Sequence, residues 1–415
     1  MRAPRGSDPV VDGVSLFSNR MKRASDPSEQ QLCFSLLSWC LQPDADNEAF
    51  FLLRDRIQQW DVFIELVRWH RVAALAWQRL SPLSEQLPPA VAESVQQMAR
   101  NTAMQSLKLT HELKRVSALL QLHQIEFVVL KGPPLAQQLY GNPGLRFSKD
   151  IDILVQEKDV ERANTLLSGH SYLRVFPPLD FPEVAMSRYK EFSKDYVYRH
   201  RDSGSELELH WRFNNNPHLL ELDVFEPFRH ITSCKLAGME LPVLSSTHQA
   251  LYLMTHAARS SWGRLSWLTD IAALLRAPLD WESLLELARI NGLTNIVWIT
   301  ANLTHHLLKI PLPEPLQAER FSAGPGARLL LRYFLTSTPQ ARYPGIIIRT
   351  LLDFLLCQRP GYKRSHLLQG FALHILDIAA LPLPARFHFF YYPLRPFIYT
   401  WRKIRDHHQK KKALS

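Results

Sequence analysis

The stretch RFSKDIDILVQEKD, residues 146–159, constrains the fold most, because two aspartates begin a short apolar run within it. The run DIDILV has the length and the branched residues of a buried β-strand. Residues two apart in a strand point to the same face, so Asp150 and Asp152 project side by side and the isoleucines point the other way. The sequence therefore predicts a buried strand that carries two carboxylates on one face.

Two carboxylates held this close repel each other, so one pKa rises unless a cation neutralises the pair. Mg²⁺ binds hard oxygen ligands, typically one or two carboxylates together with phosphates and water. The pair Asp150 and Asp152 therefore favours a divalent-cation site. The alternative is a solvated pair of aspartates at the start of a strand, one of them paired with Arg146 or Lys149.

The periodicity of apolar residues changes twice along the chain. It is helical from residue 30 to about residue 123, alternates between strands and helices from residue 125 to residue 244, and is helical again afterwards. The predicted strands lie in IEFVVLKG, DIDILV, SYLRVF, FSKDYVYRH and ELELHWRF, and the helices between them in PPLAQQLYG and EKDVERANTLLSG. We predict a disordered N-terminus, a helical domain, an α/β core, a second helical domain and a basic tail, at residues 1–29, 30–124, 125–244, 245–400 and 401–415.

Two further motifs surround the acidic strand. In LKGPPLA, Gly132 joins a strand to a helix, a junction that presents backbone N–H groups to an anion, although the two prolines that follow remove two donors. In ELELHWRF, Glu208 and His210 share one strand face. A third carboxylate from this strand would complete a metal cluster with the aspartate pair. Arg146, just before that pair, is suited to contact phosphate or the aspartates themselves.

The composition limits the class of protein and its partners. The net charge of +10 and a pI of about 9.5 favour polyanionic partners such as nucleotides, nucleic acid or anionic lipid, or else a solvated basic surface. The four cysteines have no metal-type spacing, and the N-terminus has no apolar signal segment. The sequence contains no run of about 18 uncharged apolar residues, so it predicts no membrane-spanning helix. We expect a cytoplasmic protein with reduced cysteines.

The ordered set LKGPPLAQQLYG, RFSKDIDILV, LELHW and THAARSSWGRLSWLTDIAALL, at residues 128–275, resembles the nucleotidyltransferase superfamily of DNA polymerase β and the kanamycin-type enzymes. It looks closest to the bacterial group of uncharacterised nucleotidyltransferases. The resemblance implies an α+β fold, in which a mixed-sheet nucleotidyltransferase core is flanked by N-terminal and C-terminal helical domains.

The resemblance also implies roles for individual residues. Asp150, Asp152 and Glu208 match the catalytic carboxylates that bind Mg²⁺ or Mn²⁺, with glutamate at a position that is usually aspartate. Contacts to the nucleotide are implied for Lys131, Gly132, Arg146 and His210. The residue after the glycine is Pro133, so the phosphate contact of a serine hydroxyl is missing.

A later helical region shapes the acceptor pocket in many members of the superfamily, which suggests the same role for His256, Arg264 and Asp270. The alternative for this region is a buried histidine–aspartate pair that locks two helices together.

The leading functional prediction is a metal-dependent enzyme that moves a nucleoside monophosphate from a nucleoside triphosphate, with ATP expected, to a hydroxyl or similar group. The expected acceptor is a small molecule, a glycan, a peptide or a protein. One alternative is a non-catalytic nucleotide-binding scaffold on the same fold, which the acidic residues at all three positions argue against. Another is an RNA-directed terminal transferase, although nucleic acid is not the expected partner because no RNA-binding signature is present.

The C-terminal tail combines aromatic and basic residues. FHFFYY precedes the strongly basic RKIRDHHQKKK. A solvated tail is one interpretation, and peripheral contact with anionic lipid, with the aromatic residues as an interfacial anchor, is the other.

Overall fold

The computed structural model describes residues 27–317, 323–341 and 344–371, and scattered positions between residues 378 and 401. The predicted disordered N-terminus, up to residue 26, and the basic tail after Trp401 lie outside the described residues. Three of the six residues of FHFFYY, at positions 388, 389 and 392, also lie outside them.

The N-terminal region is helical, as its periodicity predicts. Asp46 caps the second helix by accepting a hydrogen bond from the Glu48 N–H, and the fifth helix extends over 34 residues. The helices are α1 Pro27–Cys40, α2 Asn47–Arg54, α3 Trp60–His70, α4 Ala73–Leu80 and α5 Pro89–Leu122.

A mixed sheet of seven strands follows. Its strands are β1 Phe127–Val129, β2 Asp150–Val155, β3 Tyr172–Phe176, β4 Asp195–His200, β5 Glu206–His210, β6 Ile231–Leu236 and β7 Met239–Leu244. Their order is β3-β4-β5-β2-β1-β7-β6. The β2–β5 and β1–β7 pairs are parallel, and the other neighbours are antiparallel. The mixed sheet with flanking helices confirms the predicted fold class.

The helices within this region are α6 Pro133–Tyr140, α7 Val160–Gly169, α8 Glu183–Phe192 and α9 Leu222–Phe225. The first two match the sequence prediction. Proline is tolerated in the first turn of α6, because its missing N–H has no partner within the helix there, and Gly141 ends that helix at a φ of 67°. The pattern did not predict α8, α9 or the β6–β7 hairpin.

The C-terminal helices are α10 Ser246–Arg259, α11 Leu265–Arg276, α12 Trp281–Asn291, α13 Thr294–Leu308, α14 Glu314–Gln317, α15 Pro325–Ser337, α16 Ile346–Leu355 and α17 Pro360–Phe371. Ser245 precedes α10, but its hydroxyl lies 2.9 Å from His248 Nδ1 and makes no hydrogen bond to a helix N–H. Ser245 therefore does not cap this helix through its side chain. Among the described residues, no helix has the length and apolarity needed to cross a bilayer.

Two apolar cores hold these layers together. One lies beneath the sheet and includes the C-terminal half of α5, from Leu109 onwards. The other runs through the N-terminal and the C-terminal helices alike. Polar contacts join the same two regions, since the Trp69 indole donates to the Gly263 carbonyl at 3.0 Å and the Ser38 hydroxyl donates to the Leu307 carbonyl. The two helical regions therefore share one core. The sheet packs between α5 and the C-terminal helices.

Candidate active site

The predicted acidic residues meet on one face of two adjacent parallel strands. In the register of β2 and β5, Asp150 lies opposite Glu206, and Asp152 lies opposite Glu208. Because strand residues alternate between faces, all four carboxylates project from the same side of the sheet. The structure therefore brings Glu208 next to the aspartate pair, as the sequence predicts.

His210 lies between two of these carboxylates. Its Nε2 atom is 3.2 Å from Asp152 Oδ1 and 3.3 Å from Glu208 Oε2. The side chains of Asp152 and His210 are each 3% exposed, and that of Glu208 is 23% exposed. Potential ligand atoms of these three residues lie within 4.8 Å of one another, and Asp150 is not part of that group. His210 therefore belongs to the candidate cation site itself.

Two lysines neutralise the buried carboxylates. Lys131 Nζ lies 3.1 Å from Asp152 Oδ1, and Lys194 Nζ lies 3.2 Å from Glu208 Oε2. Lys194 also pairs with Asp195, a further acidic residue, whose Oδ2 lies 3.9 Å from His210 Nδ1. The site is thus a compact cluster of alternating charges in which each deeply buried carboxylate has a cationic neighbour.

The sequence analysis did not predict Lys194 and Asp195 as site residues. Both residues lie in the site because β4 pairs with β5 in antiparallel register, which places Asp195 opposite His210. A local signal for them exists. The tetrapeptide FSKD occurs at residues 147–150 and again at residues 192–195, and each copy leads into a strand of the site.

The charges of the cluster separate the two paired aspartates in pKa. Burial, together with the neighbouring Asp152 and Glu208 carboxylates, raises the pKa of Asp150 to about 7. Burial also acts to raise the pKa of Asp152, but Lys131 and His210 hold it below its ordinary value. The electrostatic repulsion that the sequence predicts is therefore present, and the aspartate whose pKa it raises is Asp150.

The pKa values of Glu208 and His210 reflect the same cluster. Burial raises the pKa of Glu208, but Lys194 and the hydrogen bond from His210 lower it more, so that it lies well below the usual range. Burial and Lys194 lower the pKa of His210, but its hydrogen bonds with Asp152 and Glu208 raise it above its ordinary value. The cluster thus favours the ionised forms of Asp152 and Glu208 and the protonated form of His210.

The turn between β1 and α6 lies against the acidic strand. Gly132 has a φ of +93°, a conformation that residues with a Cβ rarely adopt. The Leu130 N–H donates to the Asp152 carbonyl at 3.0 Å, which fixes this turn beside β2. The same turn carries Lys131 to the carboxylates, and Gly132, at the start of α6, lies against the Asp150 carbonyl.

Arg146 makes a different contact from the one predicted. Its Nε atom lies 2.9 Å from Asp270 Oδ2, and the Tyr140 hydroxyl donates to Asp270 Oδ1 at 2.9 Å. The side chains of Arg146 and Asp270 are 10% and 2% exposed. This buried group ties the segment before β2 to α11. A contact between Arg146 and phosphate therefore stays a prediction, because its guanidinium is already engaged with Asp270.

The three candidates for the acceptor pocket occupy different environments. Asp270 pairs with Arg146 and Tyr140 and not with His256, so the suggested histidine–aspartate lock is wrong. His256 is half-buried beside Trp267, and desolvation together with the nearby charge of Lys131 holds its pKa well below the ordinary value. The Arg264 guanidinium lies 5.5 Å from the ring centroid of Trp69, on the side of the N-terminal helices. Of the three, His256 is the one whose surroundings include the acidic cluster.

The donor set fits a divalent cation. Asp152 and Glu208 supply carboxylate oxygens of the kind that Mg²⁺ prefers, with Asp150 on the same face. Mn²⁺ accepts an imidazole nitrogen more readily than Mg²⁺ does, so His210 extends the fit to that ion once its Nε2 atom has lost its proton. The ammonium groups of Lys131 and Lys194 now balance the negative charge that such an ion would balance.

Comparison with known proteins identifies a matching family. The family described as uncharacterised nucleotidyltransferase matches residues 57–309, which is more than half of the chain. A crystal structure of an antigenic nucleotidyltransferase-like protein from Paracoccidioides brasiliensis is similar at 16% sequence identity, with 49% of this chain and 94% of that chain covered and a TM-score of 0.30. No curated protein matches the chain significantly.

Proposed function

The chain belongs to the uncharacterised nucleotidyltransferase family, and on that premise we propose that it transfers a nucleoside monophosphate from a nucleoside triphosphate to another molecule and releases pyrophosphate. ATP is the expected donor, and the acceptor is a hydroxyl or similar group on a small molecule, glycan, peptide or protein. The observation that carries this proposal is the register that sets Asp152 beside Glu208, with Asp150 on the same face.

Asp150, Asp152 and Glu208 would hold Mg²⁺ or Mn²⁺, with His210 beside them. A divalent ion bound there neutralises phosphate charge and lowers the pKa of an acceptor hydroxyl. The lysines have a complementary role, because they keep Asp152 and Glu208 ionised and ready to bind a cation. Since the pKa of Glu208 lies well below the usual range, Glu208 is a weak base, and we assign it to cation binding.

The turn at Gly132 supports the binding of the triphosphate. Lys131 brings a buried positive charge to the edge of the acidic cluster, and the adjacent N-terminus of α6 favours anions. Proline at the first two positions of α6 removes two N–H donors, so this turn offers charge more than hydrogen bonds. We therefore assign Lys131 to the phosphates and Gly132 to the backbone conformation that places Lys131.

Labelled nucleotides test the transfer directly. The purified protein is incubated with a cell lysate, Mg²⁺, and ATP labelled with ³²P at either the α or the γ phosphate. We expect stable labelling of an acceptor from α-labelled ATP only. Labelling from γ-labelled ATP alone would instead identify phosphoryl transfer and contradict the proposal.

Matched variants link the labelling to the site. Asp152→Asn and Glu208→Gln should each lower it by about 100-fold or more, because each removes a ligand charge. The control Glu206→Gln alters a carboxylate on the same strand face that pairs with Lys149 and Arg199, and it should change labelling by less than about threefold. Calorimetry adds a second readout, since the Mg²⁺-dependent binding of ATP should disappear in Asp150→Ala/Asp152→Ala. Equal affinity in that variant and the parent protein would remove the metal site.

A further inference from the structure

The net charge of the chain is concentrated at its C-terminal end. Residues 342–415 contain 13 of the 49 basic residues and 3 of the 39 acidic residues, which is a net charge of +10. The first 341 residues contain 36 of each kind and are balanced. The basic character of the protein therefore belongs to this segment and not to the surface of the sheet domain.

The same segment is rich in exposed apolar side chains. In the described part of the chain, 18 large apolar side chains are exposed, and nine of these lie beyond residue 342. On α16 and α17 they include Ile347, Leu367 and Leu368, which are 80%, 56% and 58% exposed. Aromatic residues continue the series at Phe387, Phe390, Phe397 and Trp401. Apolar exposure and positive charge thus coincide in one part of the chain.

An apolar groove lies between α16 and α17. Its volume is about 500 Å³, and it is lined by Ile347, Thr350, Leu351, Phe354, His366 and Leu367. Two basic residues of α17 lie beside the groove, since Lys363 Nζ is 5.2 Å from the ring centroid of the groove residue Phe354 and the neighbouring Arg364 is exposed. Neither forms an ion pair with a carboxylate among the residues that the structure describes. Arg364 is four residues before Leu368, so the two side chains lie on one face of α17.

We propose that the surface formed by α16 and α17 binds a bilayer that contains anionic phospholipid. Such a bilayer offers anionic headgroups for Lys363 and Arg364 and acyl chains for the groove and its exposed leucines. Nucleic acid would offer phosphates to the two basic residues but no apolar partner to the aliphatic side chains, which provide no stacking surface for bases. This inference does not depend on the proposed function.

The surface is firmly connected to the rest of the protein. Asp353 of α16 accepts a hydrogen bond from Arg259 of α10 at 2.7 Å, and Arg359, just before α17, pairs with Glu221 at 2.9 Å. α10 also carries His256, which lies close to the acidic cluster. Binding at α16 and α17 would therefore hold the candidate active site in a defined orientation above the bilayer.

Flotation of the full chain with vesicles tests the proposal. We expect the protein to float with vesicles of phosphatidylcholine and phosphatidylglycerol and not with phosphatidylcholine alone. The variants Leu367→Ser/Leu368→Ser and Lys363→Ala/Arg364→Ala should each lower the bound fraction at limiting lipid by about tenfold, because apolar contact and headgroup attraction both contribute. The control Met104→Ser/Leu107→Ser alters an equally exposed apolar pair on α5 and should bind as the parent does.

Thermal unfolding of each variant verifies that the substitutions leave the fold intact, as expected for exposed positions. Failure of the parent protein to float with anionic vesicles would overturn the proposal. Unchanged flotation of both variants would overturn it as well, because the membrane contact would then lie elsewhere. Binding to single-stranded RNA without any binding to vesicles would replace the bilayer by nucleic acid as the ligand of this surface.

Discussion

Asp152 and Glu208 lie directly opposite each other on the parallel strands β2 and β5, and the Nε2 atom of His210 lies within 3.3 Å of a carboxylate oxygen of each. Lys131 and Lys194 approach the same two carboxylates from the turn before α6 and from the start of β4. Three strands and one turn thus converge on two acidic residues. The distribution of charge in this cluster determines how the protein responds to pH, to cations and to substitution.

Asp150 should make the stability of the protein fall as the pH rises. Its pKa is about 7 in the folded protein and near its ordinary value, about 4, in the unfolded chain. Between these pH values the folded state binds more protons, so the free energy of unfolding decreases with increasing pH. Asp150→Asn removes this loss and should stabilise the protein by about 1–3 kcal/mol at pH 8, with little effect near pH 4. Urea unfolding in the presence of EDTA measures both values.

Glu206→Gln is the matched control for Asp150→Asn, because Glu206 is the direct neighbour of Asp150 across β2 and β5. Burial acts to raise the pKa of Glu206, but Lys149 and Arg199 lower it below its ordinary value. Its stabilising effect is present above the ordinary pKa and is lost as the pH falls. Glu206→Gln should therefore destabilise the protein at pH 8. Equal effects of the two variants at pH 8 would show that the ionised Asp150 carboxylate does not destabilise the folded protein.

Lys131→Met should destabilise the protein by about 3–5 kcal/mol when no divalent cation is present. The substitution leaves the Asp152 carboxylate buried without the cation that lies 3.1 Å away in the folded protein. Mg²⁺ or Mn²⁺ should recover part of the loss, because either ion neutralises the same carboxylate. The free energy of unfolding, measured with EDTA and with excess Mg²⁺, tests both statements.

Lys149→Met is the comparison for Lys131→Met. Lys149 also pairs with carboxylates of the acidic face, but its side chain is 46% exposed. Its loss should change the free energy of unfolding by less than about 1 kcal/mol, as is usual for exposed ion pairs. If Lys131→Met were equally mild, the buried Asp152 carboxylate would not depend on Lys131.

The sequence predicted the acidic face of the site because that face follows from local rules. Strand alternation fixes which side chains of DIDILV and ELELH share a face, and a register in which Asp150 pairs with Glu206 aligns the remaining carboxylates. The helix α6 followed from the prolines at its start and from Gly141 at its end. These features need no knowledge of residues distant in sequence.

The remaining features depend on contacts between distant residues, which no local pattern determines. Asp270 is 124 residues away from Arg146, and only the packing of α11 against the segment before β2 brings them together. The shared core of the two helical regions likewise depends on tertiary contacts such as that between Trp69 and Gly263. Lys194 lies in the site because β4 pairs with β5, although the repeated tetrapeptide FSKD is a local sequence signal for this residue.

Gly132→Ala should destabilise the protein and weaken nucleotide binding together. An alanine Cβ would meet no close atom, since its nearest neighbour is the Asp150 carbonyl at 3.8 Å, but the φ of +93° is strained for any residue other than glycine. We expect a loss of about 1–3 kcal/mol in the free energy of unfolding. Relaxation of the turn should also displace Lys131, so calorimetry should show weaker binding of ATP.

Gly141→Ala is the comparison for Gly132→Ala. Gly141 ends α6 at a φ of +67°, and an alanine Cβ there would have no atom within 4 Å, so this substitution also strains the backbone. The strain is smaller than at Gly132, because Gly141 lies in the left-handed helical region and Gly132, with a ψ of −152°, lies in a region essentially restricted to glycine. Because Gly141 lies at the far end of α6, its substitution should lower stability but leave ATP affinity unchanged. A parallel loss of affinity in both variants would show that global destabilisation, and not the turn, controls binding.

The buried pair of Arg146 and Asp270 should behave as one unit. Either Arg146→Met or Asp270→Asn leaves a buried polar or charged partner without its counterpart, and each should cost about 3–5 kcal/mol in the free energy of unfolding. The double variant Arg146→Met/Asp270→Asn should cost clearly less than the two single losses together, because no uncompensated charge then remains. Tyr140→Phe, which removes only the hydrogen bond to Asp270, should cost about 1 kcal/mol. Urea unfolding of the four variants completes the cycle, and additive losses would mean that the two residues act independently.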